Sequence, residues 1–151
     1  MTNLHYETAV SLRGRILART LSSVELCRHL LDRIAAANSR LGAFVAVDRD
    51  DVLRQAEAAD RRVAAGAETG LLAGLPVVVK DMIATAGLET TCGSRVLRGY
   101  VPPRDAYVVR RIREEGGVVL GKTSMDEFGM GSSNEHCAAG PCGNPDRKSV
   151  V

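Results

Sequence analysis

Between residues 71 and 120 the chain runs through a valine-rich segment, a helical pattern and a second apolar segment. That order restricts the available folds more than any other feature. Leu75 to Lys80 predicts a strand, because β-branched residues in a short run fit a buried pleated surface. Asp105 to Glu115 predicts a helix carrying Val108, Val109 and Ile112 on one face. After a Gly116-Gly117 break, Val118 to Leu120 predicts another strand. Strand, helix, strand in this order is a βαβ pattern, which requires a sheet with helical cover and places the chain in the α/β class.

Upstream the pattern is helical. Leu4 to Thr20 sets Val10, Ile16 and Leu17 among polar residues, and Ser22 with Glu25 forms an S-x-x-E capping box. Beyond it Val24, Cys27, Leu31 and Ile34 keep helical spacing, with Leu26 and Leu30 widening the stripe. Ala43 to Val47 predicts a short strand. Asp48 to Ala65 predicts a helix that Gly66 ends as a C-cap. Downstream, Ser124 and Glu127 form a second capping box ahead of a short turn that Gly129 and Gly131 interrupt, and the acidic pair Asp126 and Glu127 suits a helix start. After Gly131, the Gly140-Pro141, Gly143 and Asn144-Pro145 signals predict loop.

At 151 residues, with 45% hydrophobic and 25% charged residues, the chain has globular proportions and suits one domain or part of one. A net charge of +2 with no Trp argues against a dedicated nucleic-acid module. Leu71 to Val79 is the longest apolar stretch and is too short to span a membrane. The N-terminus carries Glu7 and no basic-then-apolar leader, so a cytoplasmic location is expected. Cys27, Cys92, Cys137 and Cys142 are expected to be reduced thiols.

Lys80 is the most informative residue for chemistry, because it closes the run Pro76-Val77-Val78-Val79 where a strand leaves a sheet. In dry surroundings its ammonium loses protons more readily and acts as a general base toward a serine hydroxyl. The alternative is an ordinary strand-end lysine, solvated or paired with Asp81. Gly129-Met130-Gly131-Ser132-Ser133 permits close backbone approach to a ligand but also suits a tight loop. Neither Ser132 nor Ser133 lies in a nucleophile elbow. His136, Cys137 and Cys142 have ligand chemistry without a fourth partner or a C-x-x-C pair. Arg110, Arg111 and Arg113 suit the wet face of a helix.

Five stretches, taken in order, resemble the amidase-signature family: Gly74-Leu75-Pro76-Val77-Val78-Val79-Lys80-Asp81; Thr91-Cys92-Gly93-Ser94-Arg95; Tyr100-Val101-Pro102-Pro103-Arg104-Asp105-Ala106; Gly121-Lys122-Thr123; and Met125-Asp126-Glu127-Phe128-Gly129-Met130-Gly131-Ser132-Ser133-Asn134-Glu135. Met-Asp-Glu-Phe followed by Met-Gly-Ser-Ser is most similar to the branch that contains the A subunits of tRNA-dependent amidotransferases. Met82, where the family commonly has Asn, is a departure that leaves Lys80-Asp81 in register.

The resemblance implies N-terminal helices followed by part of a mixed-sheet αβα fold, truncated. It implies a Ser, cis-Ser, Lys triad in which Lys80 is the lysine, with Met130, Gly131 and Ser132 beside the substrate. In that branch the substrate is glutamine, and the released ammonia passes to a B subunit that amidates misacylated Glu-tRNA(Gln), while a C subunit clasps the A subunit. ATP and Mg are used by the full complex, and this chain is expected to bind no cofactor and no metal. A stand-alone amidase and a non-catalytic interaction protein are the alternatives. Residues 1–145 are expected to be the N-terminal part of one amidase-signature domain. Residues 146–151 depart from the family and resemble translated sequencing-adapter DNA. The serine-bearing stretch of the family is expected after Asn144-Pro145, so the 151-residue chain is expected to be an inactive fragment.

Overall fold

The computed structural model describes residues 4–145, so the expected tail at 146–151 lies outside the described residues. The elements in chain order are a 3₁₀ turn at Leu4–Tyr6, α1 (Ala9–Leu17), α2 (Ser23–Leu41), β1 (Phe44–Ala46), α3 (Arg49–Ala64), β2 (Pro76–Lys80), α4 (Tyr107–Glu114), β3 (Val118–Thr123) and a 3₁₀ turn at Glu127–Gly129. The strands form one mixed sheet in the order β1-β3-β2. β1 runs antiparallel to β3. β2 follows β3 in the same direction, as the bonds from Val118 N–H to Leu75 C=O and from Asp81 N–H to Thr123 C=O show. The α/β class and the strand-helix-strand core therefore hold.

Two compact units divide the chain; one division falls between β1 and α3 and the other four inside α2, β2, α4 and β3. Of the described residues, the first comprises 4–33, 48–77 and 110–120. Its core gathers Leu12, Ile16, Leu21, Leu26, Val63 and Leu75. Helix α2 starts where the sequence pattern places it: Ser22 Oγ accepts the Glu25 N–H at 2.9 Å. The amides of Ser23 and Val24, orphans of the first helical turn, donate to Asp60 at 2.7 and 3.1 Å. Helix α3 ends as expected, with Gly66 at φ +65° and its N–H donating to Val63 C=O. Gln55 of α3 accepts from the Val119 N–H at 3.0 Å and from Arg113 at 2.9 Å.

Of the described residues, the second unit comprises 34–47, 78–109 and 121–145. Here the Asn38 side chain brackets Phe44, donating to its C=O at 2.9 Å and accepting from its N–H at 2.8 Å, so an amide stands in for a neighbouring strand. β1 pairs Phe44 with Thr123 and Ala46 with Lys122, two steps against one, which is a bulge. A Cβ at Gly121 would lie 2.7 Å from Ala46 C=O, so glycine is what allows β1 to come this close.

Several local expectations are corrected. The segment Leu4 to Thr20 is a 3₁₀ turn and a separate helix, because Thr8 caps α1 by accepting the Ser11 N–H at 3.2 Å. Val10 is 84% exposed, and Leu12 with Ile16 makes the buried face. On α2 the fully buried apolar positions are Leu26, Cys27 and Leu31, while Val24 and Ile34 are half-buried. On α4 Val109 is buried and Val108 exposed, because only positions with a partner behind them lose water. Arg110 and Arg111 are exposed and pair with Glu114 and Glu115, but Arg113 is half-buried against Gln55. No helix among the described residues is long and apolar enough to cross a membrane.

Candidate active site

The second unit holds every residue singled out for chemistry by the resemblance. Alternation along β2 sets Val79 inward, Lys80 outward and Asp81 inward again. Lys80 is exposed, and the dry surroundings expected for it are not formed by the described residues. Asp81, offered by the sequence as a partner for Lys80, turns inward to a different lysine: its Oδ1 lies 3.7 Å from Lys122 Nζ, and both side chains are 0% exposed.

Around that pair the polar groups are met one by one. Lys122 Nζ donates to Thr90 Oγ1 at 2.6 Å and to Ile83 C=O at 2.8 Å, with Asp81 C=O at 3.4 Å. The Asp81 carboxylate accepts from the Thr91 hydroxyl at 2.5 Å and from the Gly93 N–H at 3.1 Å. Burial pushes the Lys122 ammonium below its ordinary range, and Asp81 opposes that push. Cys92 adjoins the pair in a left-handed conformation at φ +54°, and its thiol is pushed up, first by burial and then by the Asp81 charge.

Asp126 organises the glycine-rich loop. Its carboxylate accepts from the Asn134 N–H at 2.9 Å and the His136 N–H at 3.0 Å, and these amides hold it below its ordinary range. The capping box expected of Ser124 and Glu127 does not form. Ser124 donates to Asn134, and Glu127 accepts from the buried Ser94 hydroxyl at 2.5 Å. The reason is tertiary: the Glu127 N–H that Ser124 would cap donates instead to His136 C=O at 3.2 Å, and both side chains are claimed by residues distant in sequence.

The loop and the segment after Lys80 are tied together. Phe128 N–H donates to Cys92 C=O at 2.8 Å, and Ala138 N–H donates to Gly93 C=O at 2.7 Å. A Cβ at Gly129 would lie 4.0 Å from the Met82 methyl group. Met130, Gly131 and Ser132 follow, all exposed. Among the described residues no group of three or more His, Cys, Asp or Glu is placed to hold a metal ion. His136 is exposed, Cys137 buried and Cys142 half-buried.

Sequence reasoning places Lys122 only within the Gly121-Lys122-Thr123 stretch, Asp81 beside Lys80 and Asp126 at a helix start, and gives none of them its buried role. The one signal for Lys122 is its place near the end of a second strand, as Lys80 ends the first, and nothing local distinguishes the buried lysine from the exposed one.

Comparison with known proteins gives a consistent result. Residues 25–151 match the Amidase family. The chain is 52% identical over 145 residues to the A subunit of glutamyl-tRNA(Gln) amidotransferase from Acidothermus cellulolyticus, covering 96% of this chain and 29% of that protein. It is 52% identical over 134 residues to the protein of the same name from Aromatoleum aromaticum, covering 89% of this chain and 27% of that one. Among solved structures it is similar to native peptide amidase from Stenotrophomonas maltophilia, with a TM-score of 0.84, 36% identity, and coverage of 93% of this chain and 30% of that chain. The chain thus spans less than a third of the length of the relatives it matches. A family match over most of its residues, and relatives half identical to it over nearly all of its length, establish that the chain belongs to the Amidase family.

Proposed function

We propose that this chain is the N-terminal part of the glutamine-hydrolysing A subunit of a tRNA-dependent amidotransferase. The observation that carries the reading is the 52% identity to an A subunit over 96% of this chain, with Lys80 at the end of β2 in the place the resemblance gives to the triad lysine. Two relatives carrying the A-subunit name, each half identical to it, support the branch.

In this reading Lys80 accepts the proton of a bridging serine, which takes that of a nucleophilic serine. Both serines come from polypeptide beyond these residues. The serine oxygen attacks the glutamine carboxamide carbon, the C–N bond breaks, and ammonia leaves with a proton returned through the relay. Water, deprotonated by the same relay, then cleaves the glutamyl ester, releasing glutamate and restoring the serine hydroxyl. Met130, Gly131 and Ser132 line the approach of the substrate. The ammonia serves a B subunit that uses ATP and Mg to activate the carboxylate of Glu-tRNA(Gln), with a C subunit clasping the assembly in the cytoplasm. By itself the 151-residue chain lacks a nucleophile and releases no ammonia.

The test joins residues 1–145 to the downstream portion of the A. cellulolyticus relative and assays ammonia release from glutamine with partner subunits present. Lys80→Ala lowers kcat by about 10²- to 10⁴-fold, the usual contribution of a positioned base. Wild-type activity in that variant overturns the reading. Hydrolysis of simple primary amides, indifferent to the partner subunits, would instead indicate a stand-alone amidase.

A further inference from the structure

A lysine taken fully out of water needs acceptors for its three protons, and Lys122 has them from one short stretch of chain. Thr90 Oγ1, Ile83 C=O and Asp81 C=O lie 2.6, 2.8 and 3.4 Å from its Nζ, with the Asp81 carboxylate at 3.7 Å. One inter-strand bond and one turn bond complete the arrangement. Asp81 N–H donates to Thr123 C=O at 3.0 Å, beside Lys122 on β3, and Ile83 N–H donates back to Lys80 C=O at 2.9 Å. The backbone immediately after Lys80 is therefore held by β3 through both an amide and a buried ammonium.

We propose that Lys122 is a positioning residue for Lys80: its caged ammonium fixes the backbone at residues 81–83 and with it the direction in which the Lys80 side chain leaves the sheet. The inference rests on the reading of Lys80 as the proton acceptor. Proton transfer within a relay tolerates little displacement, so loosening this backbone lowers turnover more than it alters binding. The acceptors converge on a compact ammonium, and a planar guanidinium does not match them.

Two experiments test the proposal. In the chimera with the A. cellulolyticus downstream portion, Thr90→Val deletes one acceptor while keeping the side-chain shape, and Thr90→Ser retains the hydroxyl. Thr90→Val is expected to lower kcat about tenfold or more with KM within about twofold, and Thr90→Ser to recover most of the loss, whereas Lys122→Arg stays impaired. Unchanged kcat in Thr90→Val, or a loss carried by KM, overturns the proposal. The second experiment needs no catalysis. In the 151-residue chain, Thr90→Val, which keeps the buried charge pair, is expected to speed amide hydrogen exchange at Asp81 and Ile83 by about tenfold or more while α3 is unchanged. Unaltered exchange at those two amides sinks the proposal whatever the chimera does. Full activity in the Lys80→Ala chimera would count against the functional reading alone, since the exchange result judges the cage separately.

Discussion

Gly131 lies so close to Asp126 that a Cβ added to the glycine would sit 2.5 Å from the carboxyl carbon. The loop closes over this acid only because residue 131 has no side chain, and the acid in turn gathers the amides of Asn134 and His136. Gly131→Ala is expected to destabilise the chain by about 1–3 kcal/mol, the usual cost of forcing atoms into a filled space. Urea denaturation measures it, with Gly66→Ala as a comparison in which strain comes from the positive φ without any clash.

The same acid sets a pH dependence. Amide donors hold Asp126 below its ordinary value of 3.8, so the folded state releases this proton more readily than the unfolded one. The resulting stabilisation is complete above 3.8 and is lost as pH falls through the lower folded value. Asp126→Asn keeps an acceptor oxygen but cannot titrate. Denaturation midpoints followed into acid should slope less steeply for that variant.

Lys122 acts in the opposite range. Burial holds its folded-state value below the ordinary 10.5, so between the two values the unfolded chain binds a proton that the folded chain has released. Stability contributed at this site therefore rises with pH across that window, and Lys122→Met removes the rise. At neutral pH the same substitution leaves the fully buried Asp81 without its cation, an expected loss of about 3–5 kcal/mol. Adding Asp81→Asn to Lys122→Met should cost less than the sum of the two single losses, as a double-mutant cycle will read.

In the first unit, Asp60 accepts from two first-turn amides of α2, which stand too early in the helix to find a carbonyl within it. Asp60→Ala is expected to lower stability by about 0.5–2 kcal/mol, the range for losing an N-terminal cap. Asp60→Asn should lose less. A helical far-ultraviolet signal that melts earlier in the alanine variant alone is the expected observation.

Much of the fold was legible because its signals are local. Ser22 caps α2 using its own neighbour Glu25, Gly66 ends α3 through its own backbone, and the valines before Lys80 favour a strand wherever they occur. Local signals also misled. Ser124 and Glu127 match a capping box in spacing, yet Asn134 and Ser94, distant in sequence, claim their side chains. Val108 shares helical spacing with Val109 and Ile112 but is 46% exposed.

The amino-acid order by itself determined which segments coil, which extend, and to which family the chain is similar, since propensity, capping and motif spacing act over a few residues. Only the tertiary structure decided that one lysine is buried and another exposed. Lys80 and Lys122 each stand at or beside the end of a valine-containing strand, and the difference lies in Asp81, Ile83 and Thr90, brought to Lys122 from a distant stretch of chain. Desolvating a charge is costly unless acceptors surround it, and where those acceptors stand is settled by how distant segments pack.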